Sequence, residues 1–571
     1  MDRSDTRQLA PDSGRTRSRI MLAALLLGAL AGADAQPPAQ AGGEPRTQIE
    51  AAVAAAGSPP RGSAPDHGAA QALRAAYSGA GAAALWSRDG RPTSQAQLVL
   101  RELQRAASYG LEVQDYAPER IAALSPAPPT VTADAAHLAQ FDVKLSLAAL
   151  RFMSDLHYGR VDPAAAGFKL SATHQPLDLA ASLIALARSA DVSATIASFE
   201  PPFHHYAILK DALARYLSLA AHPQLTHLPA PPAGLKTGGS YAGAAALRSL
   251  LLALGDLPPA SGAPAAPAVF DADLSSGVRT FQLRHGLTPD GVLGKATFAA
   301  LTTPLAQRVR QIELTLERWR WLPPFQTPPI IVNIPQFRLF AFRTTEDRVA
   351  DILQMDVIVG RVFPQMQTPV FEADMRYLVF RPYWDVPYSI TNKELLPKIR
   401  ANPAYLATQH LEIVRGQQDS SPTVAPTPEN LEALAKGALR LRQLPGEDNA
   451  LGLVKFIFPN SYNVYLHSTP AHQLFQESRR AFSHGCIRVS DPVALAEHVL
   501  KGAPGDWTRE KIEATMHEGS SPVRVNLAQP INVLILYGTA LATEAGPTMF
   551  FDDIYGYDKR LERQLGLAPL H

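Results

Sequence analysis

The chain has 571 residues, more than one hydrophobic core normally supports, so we expect about three or four domains. Its 53 Lys and Arg nearly balance its 52 Asp and Glu, and the net charge of +1 excludes a strong field that would attract nucleic acid or an anionic membrane. Apolar residues make up 46% of the chain and charged residues 18%, which is typical of a globular protein and excludes a wholly disordered one.

The N-terminal segment has the composition of an export signal. Arg15, Arg17 and Arg19 form a basic segment, an apolar run continues from Ile20 to Ala33, and Ala33-Asp34-Ala35 is a small-residue cleavage site. The apolar run is shorter than the ~20 residues that a helix needs to cross a bilayer. We therefore predict a cleaved signal peptide over residues 1–35 and a mature protein in the periplasm or cell envelope. An uncleaved signal would instead attach the chain to the inner membrane.

The next segments are predicted from composition and periodicity. Residues 36–68 are rich in Ala, Pro, Gly and Gln, which predicts a flexible linker. A helical pattern follows over residues 69–235, where we expect an all-helical domain. One apolar stripe with the three- and four-residue spacing of a helix face consists of Phe141, Leu145, Ala149, Phe152 and Leu156.

Residues 236–304 predict a smaller domain of three helices. Short helical patterns alternate there with Pro- and Gly-rich loops, and the pair Asp290-Gly291 marks a tight turn before the third helix. Residues 305–327 are then predicted to form a connecting helix.

The remaining sequence changes to short β-branched and aromatic runs over residues 328–545. Turn residues separate the runs, a pattern typical of a β-sandwich or barrel, and we predict a sandwich. Residues 393–449 interrupt the series with a polar, helical pattern, which predicts a helical cap over the sheet. Residues 546–571 are predicted to be a C-terminal tail. Together these elements predict a multidomain α+β protein.

Cys486 is the only cysteine in the sequence. In an exported chain it cannot form an internal disulfide, and its thiol must persist in an oxidising compartment. A free cysteine is commonly a small buried hydrophobic residue without a reactive role. The neighbouring sequence favours reactivity, because Cys486 lies in the run Ser483-His484-Gly485-Cys486-Ile487-Arg488 and His467 ends a preceding strand.

The combination of His467 with this Ser-His-Gly-Cys run resembles the active-site motif of L,D-transpeptidases, the YkuD domain. The resemblance also covers the helical regions, which are similar to the scaffold domain of the large, multidomain (YcbB-like) members and to a peptidoglycan-binding module. The segments that carry it are Ala84–Trp86, Tyr109–Leu111, Val278–Gln282, Gly286–Gly294, Val357–Gly360, Thr368-Pro369 and Pro382–Pro387.

The chemistry of such a site requires a base beside the thiol. A thiol with a reference pKa near ~8.5 is mostly protonated at neutral pH and reacts only when an adjacent group takes the proton. The resemblance implies that His467 is this base for Cys486, and that Ser468 or a backbone carbonyl orients the imidazole. It also implies that His484 packs beside the thiolate or polarises it. Gly485 is expected to let backbone N–H groups approach the developing oxyanion.

Substrate contacts are expected at Ser483, Tyr383 and Trp384, although aromatic residues in a strand are more often part of a core. Arg488 departs from the smaller family members, which usually carry Asn two residues after the cysteine. We expect Arg488 either to bind a substrate carboxylate or to anchor the loop to Asp491 or to a carbonyl.

The resemblance implies a ping-pong acyl transfer in cell-wall synthesis and the maintenance of cell shape. A donor stem peptide of peptidoglycan forms a thioester on Cys486, and an acceptor stem resolves it to a 3-3 crosslink. With water as the acceptor, the same site would act as an L,D-carboxypeptidase or a crosslink hydrolase. A non-catalytic peptidoglycan-binding scaffold is the alternative from another class, and retention of both His467 and Cys486 argues against it.

We expect no cofactor, no metal and no nucleic-acid partner. Zinc has to be weighed, because His467, His472, His484 and Cys486 are suitable ligands by type. Their spacing lacks the paired ligands of common zinc sites, and we therefore predict no metal site.

Overall fold

The computed structural model describes residues 43–56, 68–125, 134–170, 174–259, 268–345, 352–544, 546–568 and 570. The predicted signal peptide lies outside the described residues. Within these ranges, no helix has the length and apolar character needed to cross a membrane. Residues from Pro45 onward belong to one structural unit.

The N-terminal region is helical, because its apolar residues recur at helical spacing and side-chain oxygens cap several helix starts. Thr93, Asp134, Asp178 and Asp191 each accept a hydrogen bond from the backbone N–H three residues ahead. The elements are α1 (Gly43–Ala55), α2 (Ala69–Gly79), β1 (Ser87–Arg88), β2 (Arg91–Pro92), α3 (Ser94–Gln104), α4 (Pro118–Ala122), α5 (Ala135–Tyr158), α6 (Leu179–Ala187), α7 (Val192–Ala197) and α8 (His204–Ala220). The predicted apolar stripe is buried along α5.

Two predictions about this region are corrected. The linker predicted over residues 36–68 contains α1, whose Ile49 and Val53 are buried in the first helical core. Helix α1 has few large apolar residues, so its hydrophobic periodicity is too weak for the helix to be recognised from the sequence. The domain predicted over residues 69–235 does not share one core, because Leu213 of α8 packs in a second core with the following helices.

The small three-helix domain consists of α9 (Ala244–Leu254), α10 (Ala272–Arg284) and α11 (Lys295–Leu301). The buried amide of Gln282 fixes the turn before α11: its nitrogen donates to Asp290 Oδ1 at 2.8 Å, and its oxygen accepts the Gly291 N–H at 2.8 Å. Gly291 has a positive φ of 73°, and a Cβ there would lie 2.7 Å from Ser275 Oγ. This turn therefore requires glycine.

Helix α12 (Leu305–Arg320) joins the helical cores to each other. Arg320 at its end is completely buried. Its guanidinium donates to the backbone carbonyl of Tyr109 and to the Tyr206 hydroxyl, and it lies 3.3 Å from the carboxylate of Glu317. The helix predicted over residues 305–327 is thus shorter than expected and is a buried structural element.

The C-terminal half contains most of the strands. They are β3 (Ile330–Asn333), β4 (Arg338–Phe342), β5 (Ile352–Gly360), β6 (Phe371–Phe380), β7 (Trp384–Asp385), β8 (Leu411–Val414), β9 (Thr423–Val424), β10 (Arg440–Gln443), β11 (Val454–Ile457), β12 (Leu466–His467), β13 (Ala481–Ser483), β14 (Ile487–Val489), β15 (Val523–Leu536), β16 (Ala540–Thr543) and β17 (Gly546–Phe550). The helices are α13 (Tyr388–Ile390), a π-helical turn (Thr391–Leu395), α14 (Leu396–Ala401), α15 (Tyr405–Thr408), α16 (Pro428–Ala435), α17 (Pro492–Val499), α18 (Arg509–His517) and α19 (Tyr557–Gln564).

The main sheet has nine strands in the order β13-β5-β14-β12-β11-β6-β15-β3-β4. Strand β4 also pairs with β5, so the sheet closes on itself. The multidomain α+β class is confirmed. Within it, the strands form one closed sheet and not the two stacked sheets of a sandwich, because the β4–β5 pairing occupies backbone groups that a sandwich would leave at an edge.

The insertion, residues 384–443, differs from the predicted helical cap. It contains a four-stranded sheet in the order β7-β10-β8-β9 together with helices α13 to α16, and it has its own apolar core around Ile399, Leu434 and Leu441. The sequence did not predict these strands because they are short and because β10 contains two charged residues, Arg440 and Arg442.

The predicted C-terminal tail is folded. Strand β17 pairs with β16, and Leu561 of α19 is buried in the main core. Asp558 of the same helix forms an ion pair with Arg318 of α12 at 2.6 Å. The Tyr555 hydroxyl donates to the carbonyl of Gly360 at the end of β5. The C-terminal segment thus contacts the strand that leads into the nucleophile region.

Candidate active site

The predicted base ends strand β12, and the predicted nucleophile directly precedes the neighbouring strand β14. Strand β12 pairs in parallel with β14, so that Leu466 lies opposite Ile487 and His467 opposite Arg488. Leu466 and Ile487 both point into the main core. Because alternate residues of a strand point to opposite faces, His467 and Cys486 share the other face.

His467 is buried and held in one orientation. Its Nδ1 lies 2.5 Å from the backbone carbonyl of Ser468. A carbonyl only accepts hydrogen bonds, so Nδ1 carries the proton of the neutral ring and Nε2 is its acceptor. Of the two predicted orienting groups, a backbone carbonyl therefore contacts the imidazole, and the Ser468 hydroxyl does not. Gly452 is packed against this residue: a Cβ there would lie 2.6 Å from Ser468 Oγ.

Burial, followed by the charge of Arg488, lowers the pKa of His467 to about 3. The backbone carbonyls of Ser468 and Leu451 act in the opposite direction and offset only part of this effect. The imidazole is thus uncharged in neutral solution and able to accept a proton.

Cys486 is half-buried, and its Sγ lies 3.6 Å from the backbone carbonyl of Asn463. Burial raises the pKa of the Cys486 thiol. Hydrogen bonds from the backbone and hydroxyl of Tyr465 and the charge of Arg488 partly lower it again. The resting nucleophile is therefore a thiol that donates to the Asn463 carbonyl, whereas Tyr465 and Arg488 favour the thiolate.

Tyr465 belongs to the site, although the sequence prediction missed it. It lies two residues before His467 on the same face, and the two rings are 5.7 Å apart. Its hydroxyl bonds to the Cys486 sulfur. The two-residue spacing from His467 was the available signal, but a tyrosine in a strand is usually part of a core.

Hydrogen bonds from the hydroxyl groups of Ser483 and Thr368 fix the shape of the Ser-His-Gly-Cys loop. Ser483 Oγ donates to the Cys486 carbonyl at 2.5 Å and accepts the Gly485 N–H at 3.1 Å. The Thr368 hydroxyl donates to the Gly485 carbonyl at 2.8 Å. Gly485 has φ 122°, which a residue with a side chain rarely adopts. Ser483 is buried within these bonds, so the structure corrects its predicted substrate contact to a role in loop shape.

His484 points to the insertion. Its Nε2 lies 2.8 Å from Glu394 Oε1, which belongs to the π-helical turn. The expectation that His484 packs beside the thiolate or polarises it stays a prediction, and the observed side-chain contact of His484 is the one with Glu394. This contact connects the residue two positions before the nucleophile to the insertion, and π-helical turns are frequent at functional sites.

Arg488, its predicted anchor Asp491 and Tyr383 lie in different surroundings. Arg488 shares the face of Cys486, and its Nε is buried without a hydrogen-bond partner in the described part of the chain. Asp491 caps α17 by accepting the Ala494 N–H. Tyr383 stacks under the guanidinium of Arg442 at 4.2 Å.

Trp384 packs against the core of the insertion, which favours its structural alternative. Across the described residues, no three His, Cys, Asp or Glu side chains group as metal ligands. A cavity of about 290 Å³ lies elsewhere, between α12 and the outer face of β3 and β4, and includes none of the predicted site residues.

Comparison with known proteins assigns the class of this site. Residues 328–512 match the family model of the L,D-transpeptidase catalytic domain, YkuD. Residues 71–213 match a scaffold domain, and residues 241–301 match a "Putative peptidoglycan binding domain". Residues 328–512 are therefore similar to the L,D-transpeptidase catalytic domain, and the resemblance drawn from the sequence motif is confirmed.

A curated relative agrees with this assignment. The chain is 34% identical over 264 residues to a protein of Haemophilus influenzae named "Putative L,D-transpeptidase". The aligned part covers 46% of this chain and 50% of the relative. The chain therefore spans about half the length of the curated relative that it matches.

Proposed function

We propose that this protein is a cysteine-dependent L,D-transpeptidase that forms 3-3 crosslinks between peptidoglycan stems. The observation that carries the proposal is the shared face of His467, which ends β12, and Cys486, which directly precedes the parallel strand β14, with Tyr465 and Arg488 beside them. This arrangement offers a nucleophile, a base and charge-stabilising donors to one bound amide. The catalytic-domain match supports the reaction class.

In the first half-reaction, Cys486 Sγ attacks the carbonyl carbon of the third residue of the donor stem. His467 Nε2 takes the thiol proton and then gives it to the leaving amine of D-alanine. The C–N bond breaks, and a thioester remains on Cys486. The Gly485 N–H is occupied by Ser483 Oγ, so we assign the Cys486 N–H to the developing oxyanion.

The two reacting groups are both uncharged before substrate binds. Burial raises the pKa of the Cys486 thiol and lowers that of the His467 imidazole, so an ion pair is disfavoured at rest. The proton therefore moves as the sulfur attacks, and Tyr465 and Arg488 stabilise the charge that forms on sulfur.

In the second half-reaction, an amine of the acceptor stem attacks the thioester carbon. His467 takes the amine proton and returns it to sulfur, which leaves an amide crosslink and a free thiol. Water would give hydrolysis at the same step. We assign the exclusion of water to the insertion, which the His484–Glu394 contact holds at the nucleophile loop. Reaction on peptidoglycan, together with the predicted signal, supports a location in the periplasm or cell envelope.

The proposal is tested by intact mass of the full-length protein after exposure to a carbapenem. We expect one covalent adduct per chain, because the ring carbonyl of the drug takes the place of the donor carbonyl. Cys486→Ala should abolish the adduct, and His467→Ala should slow its formation by at least about a hundredfold, the typical size of a general-base contribution. An adduct that persists in Cys486→Ala would overturn the proposal.

A second measurement separates transfer from hydrolysis. The protein is incubated with a disaccharide tetrapeptide, alone and with an excess of acceptor stem, and the products are separated by mass. A 3-3 dimer supports the transpeptidase, whereas tripeptide alone in both mixtures would assign the carboxypeptidase. Cleavage of a preformed dimer without dimer synthesis would assign the crosslink hydrolase, and no turnover with intact folding would leave the scaffold alternative.

A further inference from the structure

Arg361 adds a second guanidinium to the nucleophile region. It follows directly after β5, and its backbone N–H donates to the Ser483 carbonyl at 3.0 Å. Its Nε donates to the Phe482 carbonyl at 3.1 Å. Arg488 lies on the strand that pairs with β5, opposite Ile358. The two arginines thus flank the Ser-His-Gly-Cys loop.

These cations lack an anionic partner within the described residues. Neither Arg361 nor Arg488 forms an ion pair there, and the buried Nε of Arg488 has no acceptor. Burial and then the charge of Arg361 lower the pKa of Arg488. Lys455, opposite His467 in the sheet, adds a third positive charge to the same face, and the carboxylate of Asp419 acts on it. The two arginines, held together without an anion of their own, are unfavourable, so their arrangement indicates a place for one.

We infer that Arg361 and Arg488 together bind one carboxylate of the donor stem and thereby determine donor specificity. The inference rests on the proposed function. A carboxylate accepts two parallel hydrogen bonds from a guanidinium, and neighbouring guanidinium groups can share it. Arg361 is thus a specificity-determining residue in addition to the motif residues.

Two carboxylates of a donor stem lie close to the scissile amide. One is the C-terminal carboxylate of the leaving residue, and the other is the side-chain carboxylate of a third residue that is a diamino diacid. Both have the same chemistry. A carboxamide at the bound position would leave two unpaired cations beside the nucleophile, so a tenfold to hundredfold lower kcat/KM is expected, the order of one charged hydrogen bond.

The experiment compares three donors with the full-length protein: the tetrapeptide with both free acids, its C-terminal carboxamide, and its carboxamide at the third-residue side chain. Release of the fourth residue is measured by mass. The wild type should discriminate against one carboxamide by at least about tenfold. Arg361→Gln should lose this discrimination, mainly through a higher KM for the free acid. Arg361→Lys, which keeps the charge, should retain most of it.

Two controls make the result specific. Arg376→Gln removes a cation from an exposed position of β6 and should behave like the wild type. Alkylation of Cys486 by uncharged iodoacetamide should proceed at the same rate in Arg361→Gln, which shows an intact nucleophile.

The outcomes separate this inference from the proposed function. Equal rates for all three donors with the wild type, or unchanged discrimination in Arg361→Gln, would overturn the carboxylate site alone. The donor comparison in the wild type decides even when Arg361→Gln does not fold. Absence of release from every donor would overturn the proposed function together with the site.

Discussion

At the residue scale, the site depends on two groups that burial keeps uncharged. His467 and Cys486 share a face of one strand pair, and both pKa shifts favour the neutral forms. No salt bridge between His467 and Cys486 therefore has to be broken when substrate binds. In the proposed reaction, Tyr465 and Arg488 stabilise the charge only when it forms on sulfur.

The first prediction concerns stability and pH. The pKa of His467 is lowered to about 3 in the folded protein, whereas an unfolded histidine titrates near ~6.5. Between these values the unfolded chain binds the additional proton, so this residue's contribution to stability is present above pH ~6.5 and is lost as the pH falls. We expect the free energy of unfolding to fall less steeply between about pH 6.5 and pH 4 in His467→Gln than in the wild type, measured by chemical denaturation. Parallel curves would contradict the burial of a neutral imidazole.

The second prediction concerns Tyr465. Its hydroxyl lowers the pKa of Cys486, so Tyr465→Phe should move the midpoint of the alkylation rate of Cys486 to higher pH by about one unit, the order of one hydrogen bond to a charged group. Iodoacetamide alkylation, followed by mass at several pH values, measures this shift. Tyr462→Phe is the matched control, because Tyr462 packs against Phe371 instead. An unchanged midpoint in Tyr465→Phe would remove Tyr465 from the site.

At the scale of elements, the parallel pairing of β12 with β14 brings together residues that are distant in the chain. The motif predicted His467 and Cys486 as partners because residue types and order are visible in a sequence. Tyr465 could not be separated from core tyrosines, since its role depends on which strand lies beside it. Arg361 was missed for the same reason, because only the end of β5 places it against Phe482 and Ser483.

The third prediction concerns the insertion. Glu394→Gln weakens the contact between His484 and the π-helical turn, both of which are partly exposed. Exposed pairs of this kind contribute about 0.2–1 kcal/mol, so the ratio of hydrolysis to crosslinking should rise by up to about fivefold. Tripeptide and dimer are quantified together in one reaction. Glu432→Gln, which removes an ion pair with Arg400 on another part of the insertion, should leave the ratio unchanged. An unchanged ratio in Glu394→Gln would contradict the assigned role.

The insertion also shows where sequence patterns stop being informative. Its strands are two to four residues long and include Arg440 and Arg442, so they lack the apolar alternation that marked the main sheet. The Arg442 side chain is nevertheless buried, because Glu412 on the neighbouring strand pairs with it. Such a pairing depends on strand register, which a single sequence does not display.

At the scale of the whole molecule, α12 connects the helical cores with the closed sheet. Arg320 is fully buried and contacts Tyr109, Tyr206 and Glu317 from three helical segments. The domains predicted as separate units are therefore linked through one buried network. Periodicity identified the helices of these domains, but it could not show that α8 packs with the later ones.

The fourth prediction tests this network. Arg320→Met leaves the buried carboxylate of Glu317 without its cation, and breaking a buried pair costs about 3–5 kcal/mol. Chemical denaturation should show a loss of this size. Arg400→Ala, whose ion pair is at the surface, should cost less than about 1 kcal/mol. A similar small loss in both variants would show that α12 does not join the cores.

The folded C-terminal segment has a consequence for how the enzyme is made. Tyr555 donates its hydroxyl to Gly360 and accepts the Thr368 N–H, and Thr368 in turn supports the loop of Cys486. A polypeptide that stops before Tyr555 contains every motif residue but not this support. In the proposed reaction, the thiol therefore becomes competent only after ribosomal synthesis has passed the whole catalytic sheet.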